Sequence, residues 1–294
     1  MRTVAAEPAL SAVADARVAA DVAAARSGVT VEQAHKADDL AAIGSVIDSI
    51  WHPAPGSEPV NPLILRVLEH TGSYCAIARS ANEIIGACIG FLAVEPAGCL
   101  HSHLTGVIAS AEGRHVGLAL KLDQRAWALE HGLSSIEWTF DPLVRRNAYF
   151  NCVKLAAVPR EYLPDFYGVM DDRTNVGQGS DRLVAAWNLL DPAVLDAAHG
   201  RYVRRSTVEL TSGPDTVLAL DSAAGRPLIG SRPNAATRTV LVRIPEDISE
   251  IRTADPDLAR HWRQAVRAAL MDLHDGGWSI TGMTRDGCYL LTRP

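Results

Sequence analysis

At 294 residues, nearly half of them hydrophobic, the chain is long enough for one large domain or two modest ones with a real core. Its formal charge of -6, from 28 basic against 34 acidic residues, gives no electrostatic case for nucleic acid or an anionic membrane as partner. Cys75, Cys88, Cys99, Cys152 and Cys288 are odd in number and not spaced as a metal clip, so reduced thiols in a cytoplasm are expected. The ten histidines include no HExxH, and no metal is expected.

Residues 1–28 form an alanine-rich leader, read as helical or partly ordered. Glu7, Pro8, Asp15 and Asp21 break any apolar run long enough for export or a bilayer. "VTVEQA" then reads as a strand, and "ADDLAAIGSVIDSIW" as a helix with Leu40, Ile43, Ile47 and Ile50 at helical spacing. "NPLILRVLEHTG" is a second helix, with Pro62 near its start and Gly72 past its end. "YCAIARS" and "EIIGACIGFLAVE" make a hairpin across Ala81-Asn82, and "CLHSHLTGVIAS" is a further strand.

"EGRHVGLALKLDQRAWALEHG" supplies a glycine-bearing loop and a long helix ending at Gly132. "SSIEWTFDPL" is read as a strand, "RRNAYFNCVKLAA" as a helix, and "REYLPDFYGVM" and "DRLVAAWNL" as strands. The texture changes near residue 198. Beyond it come the short strand candidates "TVLALD" and "RPLIGS", then β-α-β-β from "TRTVLVRIP" onward. The expected division is a leader over 1–28, an α/β domain over 29–198 and a smaller α+β lobe over 199–294.

A helix N-terminus leaves several N–H groups without partners and carries partial positive charge; glycine beside it lets backbone close on a phosphate. That loop, with "SHLTGVIASAEGRHVGLALKLDQRAWALEHG", "IEWTFDPLVRRNAYFNCVKLAAV" and "YLPDFYG", resembles the GNAT superfamily of N-acetyltransferases over residues 29–190. "VRIPEDISEIRTADPDLARHWRQAVRAAL" resembles the C-terminal extension of a bacterial acyltransferase subgroup. The resemblance implies a GNAT-like mixed, mostly antiparallel central sheet flanked by helices. It implies acetyl-CoA or another acyl-CoA as donor and a small-molecule amine as acceptor. For the C-terminal lobe three roles stand open: adding a strand, closing the acceptor site, or building a homodimer.

The family pattern is Arg or Gln, two residues, Gly, one residue, then Gly or Ala, and two registers fit. One places Glu112, His115 and Gly117 on it, with Gly113, Arg114 and Val116 between. The other runs from Arg114 through Gly117 to Leu118 and Ala119. In the first register, Glu112 about 6 Å from a phosphate charge would repel it by roughly 3 kcal/mol at an effective dielectric near 20. Arg114 and a protonated His115 would offset that.

The resemblance further implies that the donor's arm lies where two strands diverge, held by backbone N–H groups at Val107 and Ile108, which would also polarise the thioester carbonyl. Alternation puts His101, His103 and Thr105 on one face and Ser102 on the other. His101 falls where members carry a general base, and histidine suits that task near neutral pH; a structural histidine is the other reading of either ring. Asn147 would point at the arm, and Arg146 at a phosphate or a substrate carboxylate. The family's acid tyrosine falls on Cys152, with Tyr149 one turn earlier. Asp141 is a capping or substrate residue, and Tyr167 lies in the strand that in the family borders the acceptor pocket, with aromatic packing as its other reading. Two other readings compete with amine acylation: a non-catalytic GNAT-like module with a degenerate site, and different acyl-thioester chemistry in the same pocket.

Overall fold

The computed structural model describes residues 7–53, 56, 58–168 and 179–293, with side chains from residue 10 onward. In chain order the elements are α1 (Glu7–Ser27), β1 (Thr30–Gln33), α2 (Ala37–Trp51), α3 (Pro62–His70), β2 (Tyr74–Ser80), β3 (Glu83–Leu92) and β4 (Cys99–Val107). A 3-10 turn (Ala109–Ala111) leads into α4 (Val116–Glu130), followed by β5 (Ser135–Phe140) and α5 (Arg145–Tyr149). A π turn (Phe150–Lys154) continues from α5, then come β6 (Val158–Leu163), β7 (Arg182–Asn188), α6 (Pro192–Ala198) and α7 (Thr207–Thr211). The rest is β8 (Thr216–Ala223), β9 (Arg226–Ile229), β10 (Thr239–Arg243), α8 (Ile248–Ala254), α9 (Pro256–Asp275), β11 (Ser279–Met283) and β12 (Cys288–Thr292).

The chain forms two compact units, Met1–Trp138 with Asn188–His199, and Thr139–Trp187 with Gly200–Pro294. In the first, β1, β2, β3 and β4 pair antiparallel in sequence order, and β5 adds parallel to β4. This is the mixed, mostly antiparallel sheet with flanking helices that was expected. Leu40, Ile43, Val46 and Ile47 of α2 are buried at helical spacing and pack on Ile77, Ala87 and Ile89 of β2 and β3. α3 starts where Asn61 accepts the N–H of Leu63, with Pro62 in its first turn.

α4 is enclosed on every side. From Ala119 to Leu129 each residue is buried, including Lys121, Asp123, Gln124 and Arg125. The leader explains this, because α1 lies along α4 and buries Ala16, Ala19 and Ala20. Arg17 of α1 pairs with Asp123 at 2.5 Å and with Glu130 at 2.9 Å, and Tyr74 donates its hydroxyl to Asp123 at 2.7 Å. Arg125 gives two hydrogen bonds to the carbonyl of Leu189, ahead of α6.

In the second unit β6 and β7 pair antiparallel, and a smaller sheet runs β11-β12-β10-β8-β9, parallel only between β10 and β8. Ala259, Trp262, Val266, Leu270 and Leu273 form the buried stripe of α9. Three expected elements end differently. β3 stops at Leu92 and β4 at Val107, and the strand expected over 160–170 is β6, after which Pro164 leads into a turn. Pro164 has no N–H to carry the ladder on, although Pro159 is accommodated within the strand opposite Ala185. Val169 and Met170 of that expected strand lie outside the described residues. The helix expected over 145–157 is one short α turn passing into the π turn.

Candidate functional site

Between β4 and α4 the backbone turns left-handed twice, at Gly113 (φ 79°) and at His115 (φ 63°). Glycine tolerates this region, and histidine there costs roughly 1 kcal/mol. His115 is the residue before α4 and gives it no side-chain cap. The left-handed position thus coincides with the first glycine of the register that starts at Glu112. Gly117, the first glycine of the other register, lies inside the helix.

The N–H groups of Gly113, His115, Val116 and Gly117 donate to no backbone carbonyl among the described residues. A side chain on Gly113 would meet nothing within 4 Å, and one on Gly117 only the Val107 side chain at 3.9 Å. Gly117 therefore leaves space that nothing in its own unit fills, although alanine there would favour the helix by about 1 kcal/mol. Leu118 and Ala119 donate back to the carbonyl of His115 and begin the helical ladder. Glu112, Arg114 and His115 are exposed. The guanidinium of Arg114 bonds the carbonyl of Ser27 at 3.3 Å and Ser80 Oγ at 3.0 Å through one nitrogen.

β4 and β5 part early. Only Cys99, Leu100 and His101 pair, with Ser135, Ile136 and Glu137. From Ser102 onward β4 pairs with β3 alone, leaving its other edge open. Successive N–H groups along a strand point to opposite edges. Ile108 donates to Ile85 across β3 at 3.0 Å, so the expected donor pair is corrected: the N–H of Ile108 is spent, and those of Val107 and Thr105 face the open edge.

A bulge corrects the expected alternation as well. Ile89 pairs with Leu104 and Gly90 with Ser102, so His103 is an extra residue. His101 and His103 share a face with Phe91, at ring distances of 5.2 and 5.7 Å and 6.2 Å from each other. Thr105 is carried to the opposite face, where its hydroxyl meets Cys88 Sγ at 3.1 Å. Burial lowers the pKa of His101, helped by the neighbouring His103 and Lys121. His103 is more exposed, yet desolvation where sheet and Phe91 crowd its ring lowers it too. Both rings are therefore neutral near pH 7 and able to accept a proton.

Sequence reasoning passed over Lys121, a buried side chain of α4. Its amine donates to Ser102 Oγ at 3.0 Å and Gln124 Oε1 at 2.7 Å, and lies 3.9 Å from the centroid of the Trp138 ring. Gln124 in turn reaches Cys88 Sγ at 3.2 Å. Polar residues on a helix ordinarily mark its wet face, so only the packing of α4 on β3, β4 and β5 reveals that these are inside.

The remaining residues singled out from sequence belong to the second unit. Asp141 accepts the N–H of Leu143 at 2.9 Å, and also binds Arg252 at 2.6 Å and Arg263 at 2.9 Å. Burial works to raise its pKa, but Arg263 and Arg252 outweigh that and hold the carboxyl below its ordinary value. Both oxygens are occupied by the protein's own donors. Arg146 and Asn147 are exposed on α5. Tyr149 is partly buried, which raises its pKa. Cys152 sits buried in the π turn, and desolvation pushes its thiol up to about 12, so it keeps its proton at neutral pH. Tyr167 is not on a strand but in the turn after Pro164, its hydroxyl 3.2 Å from Thr139 Oγ1 and its ring 4.9 Å from the guanidinium of Arg182. Among the described residues no group of His, Cys, Asp and Glu is placed to hold a metal, and no helix is long and apolar enough to cross a membrane.

No protein-family model matches the sequence, and no curated protein matches it. Solved structures similar to this chain are GNAT-family N-acetyltransferases. An N-acetyltransferase from Staphylococcus aureus is 16% identical, with 55% of this chain and 98% of that chain covered and a TM-score of 0.46. A GNAT acetyltransferase from Streptococcus pneumoniae is 9% identical, with 54% and 97% covered and a TM-score of 0.45. A Salmonella typhimurium protein solved with its cofactor acetyl-CoA is 14% identical, with 56% and 96% covered and a TM-score of 0.45. Likeness at this level carries no activity across.

Proposed function

We propose that the chain is an acyl-CoA-dependent N-acyltransferase, with acetyl-CoA as the first donor to test and a small-molecule amine as acceptor. The observation that carries this reading is the loop before α4. Two left-handed residues, N–H groups that donate to no backbone carbonyl among the described residues, and space beside Gly117 support reading this loop as a pyrophosphate cradle. The open edge of β4 supplies the second requirement, since Val107 and Thr105 present N–H groups to an extended arm and to a carbonyl oxygen that gains charge during attack.

In this reading the acceptor nitrogen bonds to the thioester carbon, the carbon–sulfur bond breaks, and His101 takes the proton that the amine gives up. For Asn147, Arg146, Tyr149 and Tyr167, all of the second unit, the roles that the resemblance implies rest on that resemblance alone. Cys152, held as a thiol, has no nucleophilic part in it. Calorimetry with acetyl-CoA and longer acyl-CoAs is expected to give Kd values on the order of micromolar. Absence of heat with every member of that panel overturns the reading.

His115 favours one competing reading, a GNAT-like module without catalysis, because its side chain stands where the family pattern has glycine. His115→Gly, assayed for turnover of acetyl-CoA with a panel of amines, separates the two: turnover in the native chain or the variant favours the enzyme, and none in either favours the module. Relief of the left-handed strain is expected to stabilise the protein by about 1 kcal/mol in urea unfolding. For an acyltransferase the same change leaves acetyl-CoA affinity equal or tighter. Loss of binding would instead assign the imidazole a direct contact with the donor.

A further inference from the structure

Of the 28 basic residues, only Lys36, Lys121 and Lys154 are lysines. Lys36 is exposed and Lys154 partly so, while Lys121 is 3% exposed. A chain that uses arginine almost everywhere thus places one of its few lysines inside the first unit. The chemical difference matters at such a position: a guanidinium stays charged when buried, whereas an amine can shed its proton and become a nucleophile.

Its location is specific. The last paired residues of β4 and β5 are His101 and Glu137. The next residues on the two strands are Ser102 and Trp138, and these are what the Lys121 amine touches, at 3.0 Å from Oγ and 3.9 Å from the ring centroid. The amine therefore stands at the apex of the gap that opens between the strands. Gln124 Oε1 at 2.7 Å and Ser102 Oγ are both acceptors, and a neutral amine has a hydrogen for each.

We infer that Lys121 is itself an acyl acceptor: its Nζ is acylated by a thioester seated in the gap between β4 and β5. This rests on the acyl-CoA reading above. The Nζ–carbonyl carbon bond forms, the carbon–sulfur bond breaks, and the thiol leaves with the proton that the amine gives up. The product amide is neutral, which removes a buried charge, and its single N–H retains one of the two acceptors.

Burial lowers the Lys121 pKa to about 8. Groups around it include Ser102 of β4, Trp138 of β5, Gln124 of α4 itself and, bonded to Gln124, Cys88 of β3, while His101 lies on the other face of β4 and feels its charge from there. Asp123, next along the helix, is engaged by Arg17 and Tyr74. The neutral fraction grows as pH rises through about 8, so acylation should accelerate over that range and level off above it.

The experiment is to incubate the full chain with acetyl-CoA alone, follow the intact mass, and locate the modification by peptide mapping, with donor binding measured by calorimetry on the same preparation. One acetyl group on Lys121, slowed by added CoA and faster at alkaline pH, is expected. Lys121→Arg should abolish it, while mapping of the unaltered protein decides the question even where that variant folds poorly. Binding without modification at Lys121, or acetylation confined to Lys36 and Lys154, overturns the inference and leaves the acyltransferase reading standing. Absence of binding overturns both.

Discussion

Asp141→Asn is expected to destabilise the second unit by about 3–5 kcal/mol in urea unfolding, the cost typical of breaking a buried ion pair by removing one partner. The carboxylate holds two guanidiniums, of Arg252 at 2.6 Å and Arg263 at 2.9 Å, whose side chains are 7% and 4% exposed. Neutralising it takes from both cations the carboxylate they bond, and leaves Arg263 the charge of Asp181. The Nε atoms of these arginines have no hydrogen-bond partner to fall back on among the described residues. Since both carboxylate oxygens already accept bonds from within the unit, the folded fraction should keep its KM for an amine acceptor. A KM rise with unchanged stability would instead make Asp141 a substrate ligand.

The pH dependence follows with a definite sign. Asp141 has a folded-state pKa below its ordinary value of 3.8. Its contribution is present above that ordinary value and is lost as pH falls from it through the depressed folded value. Stability of the native protein should therefore fall steeply in that acid window. Asp141→Asn should remove that share of the slope.

Much of the first unit was legible from sequence because period and punctuation agreed. Leu40, Ile43 and Ile47 face one way on a helix whatever surrounds it, and Asn61-Pro62 fixes a helix start by hydrogen bonding and ring geometry. The left-handed backbone at His115 was legible only through the motif's register, since histidine itself signals nothing of the kind. The faces of β4 were not legible. Period two predicts Thr105 beside His103, and one extra residue in the ladder overturns it, a matter of pairing with β3 that no local pattern encodes. Lys121, Asp123, Gln124 and Arg125 look like wet positions until their surroundings are known: Lys121 and Gln124 face the sheet, Arg125 the carbonyl of Leu189, and Asp123 is covered by α1. Asp141 likewise looked uncommitted, because its arginine partners lie more than a hundred residues further along the chain.

His101→Ala is expected to lower kcat/KM for acyl transfer to a small amine by about 10²–10⁴-fold, the usual contribution of a positioned general base. Two consequences distinguish a base from a ring that merely packs on Phe91. First, because burial, His103 and Lys121 together keep His101 below its ordinary pKa of 6.5, native activity should hold at neutral pH and fall on the acid side of that value. The variant should lose that acid limb along with the rate. Second, His103 sits 6.2 Å away and lowers the pKa of His101. His103→Ala should then keep most of the rate and move the acid limb upward. Should His101→Ala keep both the rate and the limb while losing stability, the ring is structural and the proton leaves by another group.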